Sequence, residues 1–184
     1  MCNAFNKKFL DEASKALEDN KLNPVPLPTD NEKFMAEAIK AAIKGMDANE
    51  GGPFGCIIVK DGKIIGRGNN KVTSTNDPTA HAEVIAIRDA CKNLNSFQLD
   101  GCIIYTSCEP CPMCLGAIYW ARPDKVYYGC NKEDATKIGF DDSFIYKEIP
   151  LPDEKRSIPF EQCARDVALK AFQKWEIKED KTEY

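Results

Sequence analysis

The chain has 184 residues, nine of them cysteine, with 43% hydrophobic and 29% charged residues and a formal net charge of −4. That length predicts one main domain with ample chain for a core, and the composition is that of an ordinary globular protein. The net acidity argues against nucleic acid as the main partner, no apolar run reaches the length of a membrane span, and an odd cysteine count does not suit a disulfide framework, so a reducing cytoplasm is expected. The N-terminus lacks the apolar core of a signal peptide, and its acidic residues are unlike a transit peptide. Phe5, Phe9, Leu10, Ala13, Ala16 and Leu17 form a helix-like stripe. Asn23-Pro24-Val25-Pro26-Leu27-Pro28 then reads as a stiff, extended linker. Residues 1–30 are therefore expected to be a helical extension with a proline-rich linker, and residues 31–184 the main domain.

In that domain, Phe34, Ala38, Ala41, Ala42 and Met46 predict a helix over 32–46, broken by Gly51-Gly52-Pro53. Residues 54–59 and 63–68 are β-like and joined by Asp61-Gly62, a strong hairpin signal, with Asn69 and Asn70 closing the second run. A helix is expected from about Ala80 to Cys91, capped by Asp77-Pro78-Thr79, with Val84, Ile87, Ala90 and Cys91 inward. Then come a buried strand at 102–106, a helix at 111–121, a strand at 126–129 and a short helix at 133–138 ended by Gly139. After Phe140 the chain reads as loop, with Pro150, Pro152 and Pro159 among charges, until Ala164, Val167, Ala168, Ala171, Phe172 and Trp175 mark a last amphipathic helix. This order predicts an α/β fold with helices on both faces of the sheet, its later strands parallel. The helices that follow strands place their N-termini along the strands' carboxyl edge.

The chemistry concentrates in His81-Ala82-Glu83 and Pro110-Cys111-Pro112-Met113-Cys114. His81, Cys111 and Cys114 are donors suited to Zn²⁺, and three protein ligands leave a fourth position open, as in catalytic sites. Cys111 and Cys114 are one helical turn apart, and a helix N-terminus favours thiolate over thiol. Two thiolates and a neutral imidazole make the zinc site formally neutral, so its water is acidified less than in an all-His site. A separate carboxylate is then needed to take the proton, and Glu83 suits that role. Two other readings of the cysteines exist: a structural zinc closed by Cys108, and a CxxC redox pair. The second leaves His81 and Glu83 without a purpose.

These motifs, with Gly51-Gly52-Pro53-Phe54-Gly55 and Asn76-Asp77-Pro78-Thr79 upstream, resemble the cytidine deaminase superfamily. Gly139-Phe140-Asp141-Asp142-Ser143-Phe144-Ile145-Tyr146, the segment around Trp175 and the terminal Tyr184 are similar to the bacterial-type guanine deaminases within it. The resemblance implies a three-layer αβα sandwich with a cytidine deaminase-like mixed sheet. It implies hydrolysis of guanine to xanthine and ammonia, with zinc as the cofactor and a purine base as the partner. Glu83 would take a proton from water and return one to N3, the backbone N–H of Ala82 would stabilise the tetrahedral oxygen, and Glu83 or Asp142 would serve the departing amine. Asn70 would hydrogen-bond the base, and Phe54 and Trp120 would wall the pocket. It further implies a homodimer with exchanged C-terminal segments, in which Tyr184 closes the neighbouring site.

Each of these residues has a plainer reading. Asn70 suits a turn, Phe54 and Trp120 suit a core, and Asp141-Asp142 suits a solvated pair. One chemical point favours guanine. Its N1–H and 2-amino group present two donors, and an ionised carboxylate accepts only, so Asp142 complements that edge where adenine would be repelled. The alternatives in the same class are a tRNA-editing adenosine deaminase, which should show a basic face, and a guanosine or cytosine deaminase. A catalytically silent zinc scaffold is the alternative from another class, and retention of Glu83 speaks against it.

Overall fold

A computed structural model describes residues 29–183 of the chain. The helix and linker expected before residue 29 lie outside the described residues, as does Tyr184. By its contacts the chain divides into Met1–Lys33 and Phe34–Tyr184. The sheet and the site belong to the second unit.

The first described element, α1 (Asp30–Asp47), opens on a reciprocal cap. The Thr29 N–H donates to Glu32 Oε2 at 2.6 Å, and the Glu32 N–H donates back to Thr29 Oγ1 at 3.3 Å, which satisfies two first-turn donors. The hairpin follows as β1 (Gly55–Lys60) and β2 (Lys63–Asn69). Asp61 and Gly62 both have positive φ, 49° and 72°, as a two-residue turn matched to strand twist requires. A one-turn helix, α2 (Val72–Thr75), was not signalled by the sequence pattern. Then come α3 (Ala82–Leu94), β3 (Cys102–Cys108), α4 (Pro112–Ala121), β4 (Lys125–Cys130) and α5 (Lys132–Lys137).

The strand order is β2-β1-β3-β4. β1 is antiparallel to both β2 and β3, and β3 is parallel to β4, so the sheet is mixed, as expected. Alternation along the strands separates two cores. Ile57, Val59 and Tyr105 pack with Ala38 of α1 on one face. Cys56, Ile58, Cys102 and Ile104 pack with Ala82, Ala86, Ala90 and Ile118 of α3 and α4 on the other. Helix, sheet and helix thus make the three layers of an αβα sandwich.

Two local expectations need correcting. The inward stripe of α3 is Ala82, Ala86 and Ala90, with Ile87 and Cys91 packed against the same core as expected and Val84 only half buried. The cause is close approach: a Cβ on Gly68 of β2 would lie 2.1 Å from the Ala82 carbonyl oxygen, so only small residues fit at this contact. The stretch after Phe140 is not all loop. Helix α6 (Ser143–Glu148) lies in it, too short for its periodicity to register in sequence. A single 3₁₀ turn, Asp153–Lys155, then leads to α7 (Arg165–Glu176), which has no buried residue.

Candidate active site

Strand register decides what meets at one edge of the sheet. Gly55 pairs with Asn69 and Cys56 with Thr106, so the start of β1, the end of β2 and the end of β3 lie side by side. Helices α3 and α4 both begin there. His81 is the N-cap of α3 and Cys111 the N-cap of α4, each on extended backbone, and neither side chain caps its own helix. Pro112 occupies the first turn of α4, where its missing N–H costs nothing. The expected cap at Asp77 is instead a turn: its Oδ1 accepts from the Thr79 N–H at 2.8 Å and hydroxyl at 2.6 Å.

The His81 Nδ1 lies 3.5 Å from the Sγ of Cys111 and 3.5 Å from that of Cys114. The three donor atoms lie within 4.8 Å of one another. A tetrahedral zinc with ordinary Zn–N and Zn–S bonds would separate N from S by about 3.5 Å, so the donors stand where zinc ligands belong. Charge points the same way. The Cys111 thiol is held down to about 4, first by the Cys114 thiol donating to it and then by His81. Cys114 is pushed up, because its bond to Cys111, its burial and the Glu83 carboxylate all oppose a second negative charge. A divalent cation supplies the positive charge that lets both become thiolates. Cys108 stays apart: its thiol donates to the Asn131 carbonyl at 3.6 Å, and burial raises it to about 11. The structural-zinc reading loses its fourth ligand, and the open position remains.

Glu83 lies beside the cluster without joining it. Its carboxylate is buried, 6% exposed, which raises its pKa above the ordinary carboxylate range. The Thr106 hydroxyl donates to Oε1 at 2.7 Å, and Oε2 lies 3.3 Å from the Cys114 Sγ. Thr106 is absent from the sequence-based list of site residues. Its only signal was a hydroxyl on the strand face that otherwise carries Cys102, Ile104 and Cys108.

A cavity of about 490 Å³ opens from this cluster, lined by His81, Glu83, Cys111, Asn70, Phe54 and Asp142 among others. Asn70 is more than a turn residue. Its Oδ1 accepts from the N–H of Gly52 at 3.3 Å and of Val72 at 3.2 Å, which fixes the amide so that the NH₂ group is the free end. A Cβ on Gly51 would lie 2.2 Å from that oxygen, so glycine is required for the approach. Phe54 meets Phe140 edge to face, with centroids 4.8 Å apart at 88°. The two rings form an apolar wall, and Phe140 is a wall residue that the sequence reading had placed only in a motif. Both members of the acidic pair border the cavity, in different roles. Asp141 accepts from the Ser143 N–H at 2.9 Å and shapes the turn. Asp142, at the head of α6, has no capping bond and lines the cavity, where burial raises its pKa.

Two expected residues do not line the cavity, and a third is not described. Ala82 is fully buried and does not line the cavity, although its N–H is among the first-turn donors of α3 that lack an intrahelical partner. Trp120 is not a wall of this chain's pocket. It is 66% exposed and borders a separate hollow with Ile87 and Phe97. The reason is its place near the far end of α4, roughly 13 Å of helix axis from Cys111 at 1.5 Å per residue. Tyr184 lies outside the described residues.

Residues 28–130 match the cytidine and deoxycytidylate deaminase zinc-binding region. Over 154 residues the chain is 59% identical to a guanine deaminase of Bacillus subtilis strain 168, covering 84% of this chain and 99% of that one. The X-ray structure of guanine deaminase from Bacillus subtilis superposes with a TM-score of 0.81 at 59% identity, over 83% of this chain and 98% of that chain. The tRNA-specific adenosine deaminase of the same strain is 42% identical over 101 residues, 55% of this chain and 62% of that one. The likeness to guanine deaminase is longer than the zinc-binding region, so it takes in chain beyond that region.

Proposed function

The chain belongs to the cytidine and deoxycytidylate deaminase zinc-binding family, and from that premise we propose that it hydrolyses guanine to xanthine and ammonia as a step of purine breakdown. The observation that carries the choice of base is the 59% identity to a guanine deaminase over 84% of this chain. Zinc, held by His81, Cys111 and Cys114, supplies the Lewis acidity that makes water nucleophilic near neutral pH.

The remaining chemistry belongs to the protein. Glu83 takes a proton from the water whose oxygen bonds to C2, and it returns that proton to N3. The hydroxyl now on C2 then gives up its proton, which Glu83 or Asp142 carries to the 2-amino nitrogen, so that the C2–N bond breaks, ammonia leaves and the C2 carbonyl of xanthine forms. Burial of Glu83 suits this work, since a raised pKa brings base and acid forms closer to balance near neutrality. The N–H of Ala82 is available to the oxygen developing at C2. Asp142 supports guanine over adenine by offering two acceptors to two donors, each charge-assisted bond contributing roughly 1.5–3 kcal/mol. The free NH₂ of Asn70 is suited to an acceptor on the purine, and the rings of Phe54 and Phe140 to its faces.

We further propose a homodimer with exchanged C-terminal segments in a reducing cytoplasm. The apolar face of α7 supports exchange, because Phe172 is 74% and, just past the helix end, Ile177 80% exposed, and α7 has no buried residue. All the described cysteines are unpaired, which suits a reducing compartment. No described helix is long and apolar enough to cross a membrane. Ammonia release from a panel of guanine, guanosine, adenine, cytosine, cytidine and tRNA tests the substrate. Guanine should be far the fastest, and a faster tRNA would overturn the choice of base while leaving the zinc chemistry intact.

A further inference from the structure

Thr106 is fully buried in the middle layer, on the same face of β3 as Cys102 and Ile104, which serve only the core. A hydroxyl in such a place loses its hydration and needs a partner, whereas valine would fill nearly the same space with no such need. The partner is Glu83 Oε1, 2.7 Å away and distant in sequence. The other oxygen, Oε2, faces Cys114 and so the metal-ligand cluster. A glutamate carboxylate turns easily about its last torsion, because that rotor is broad and roughly two-fold. Buried beside the cluster without an anchor, either oxygen could swing toward the reacting water.

We propose that Thr106 is the positioning residue for the general base: its hydroxyl pins Oε1 on the strand side and so assigns proton transfer to Oε2. The hydroxyl donates to the carboxylate and touches neither substrate nor metal ligand. This rests on the reading of the chain as a deaminase that uses Glu83, and guanine turnover by the unaltered chain tests that reading separately.

The test compares full-length, zinc-loaded Thr106→Val, Thr106→Ser and Thr106→Ala chains. The readouts are kcat and KM for guanine, zinc per chain, xanthine binding, and the Glu83 side chain in crystals. Thr106→Val should lower kcat about 10- to 100-fold, the range for loss of a group that orients another, with KM, xanthine affinity and zinc content unchanged. Its Glu83 carboxylate should be rotated or spread over more than one orientation. Thr106→Ser keeps the donor and should recover most of kcat. Serine and alanine variants differ by one oxygen atom, so their ratio of kcat decides the matter even if the valine chain does not fold. Equal kcat for serine and alanine variants, an unimpaired valine chain, or a loss confined to KM or to zinc content would each overturn the proposal.

Discussion

The first turns of α3 and α4 and the stretch from α6 to α7 are both helical, and they are held in opposite ways. At the cluster, Ala82, Glu83 and Cys114 are buried, and hydrogen bonds tie Glu83 to β3 and α4. Along α7 no residue is buried, although Val167, Phe172 and Trp175 give it a clear apolar stripe. An amphipathic helix gains most of its stability by packing that stripe, and the proposed exchange would give the stripe of α7 a surface to pack on. The floor is thus held by its own burial and hydrogen bonds, while the proposed roof rests on a helix with no buried residue.

The largest effects should come from the floor. Glu83→Gln should keep about one zinc per chain and lose kcat by roughly 10²- to 10⁴-fold, measured as ammonia released from guanine. Near-normal turnover would remove the general-base assignment. Cys111→Ser or His81→Ala should instead lose metal and thermal stability together, which metal analysis and melting curves would separate from a purely catalytic defect.

The roof should matter less, and in a different way. Removing the last four residues should leave zinc content and folding intact while lowering guanine turnover about tenfold or more, as expected when a closing group is lost. Mixing truncated chains with Glu83→Gln chains under conditions that exchange subunits sharpens the comparison. If tails cross, a mixed dimer has one site with both lesions and one with neither, so activity returns. No recovery in demonstrated mixed dimers would sink the exchange.

Asp142 sits between the two regions, at the head of α6 and on the cavity wall. Asp142→Asn should slow guanine about tenfold and blunt its preference over adenine, since an amide offers one donor and one acceptor in place of two acceptors. An unchanged ratio of the two bases would show that selectivity lies elsewhere.

The smallest effect concerns the loop behind Asn70. The Asn69 amide, donating to Glu50 at 2.7 Å, holds the Glu50 pKa below its ordinary value, with Lys71 adding to it. A depressed carboxylate contributes stability above its unfolded pKa, and that contribution is lost as pH falls through the folded value. Glu50→Gln should therefore flatten the acid side of the stability profile below the ordinary Glu range and change little near neutrality. A profile that keeps its full acid slope would show that other carboxylates set it.

Much of the floor can be read without coordinates. Cys111 and Cys114 fall one turn apart after Pro110 and His81 two before Glu83, and the resemblance to the deaminases joins these two local pairs into one ligand set. Asp61-Gly62 specifies its turn, because positive φ at two successive positions is cheapest for those residues. The roof is less readable. Helix α6 is shorter than two periods, and Trp120 looks like any apolar helix residue until its distance along α4 is known.

By itself the sequence determined the Cys111–Cys114 pair, the His81–Glu83 pair and the hairpin, since each follows from spacing within one or two turns or from one tight turn, and the family resemblance added the ligand cluster and the layer order. Tertiary structure alone decided that Thr106 meets Glu83, that the Asn70 oxygen is consumed by Gly52 and Val72, and that Asp141 is engaged by the Ser143 N–H while Asp142 has no capping bond. These outcomes depend on the register of β1 against β2 and β3 and on where α6 begins. They bring together atoms far apart in the chain, at separations where a shift of one residue would turn a side chain to the opposite face.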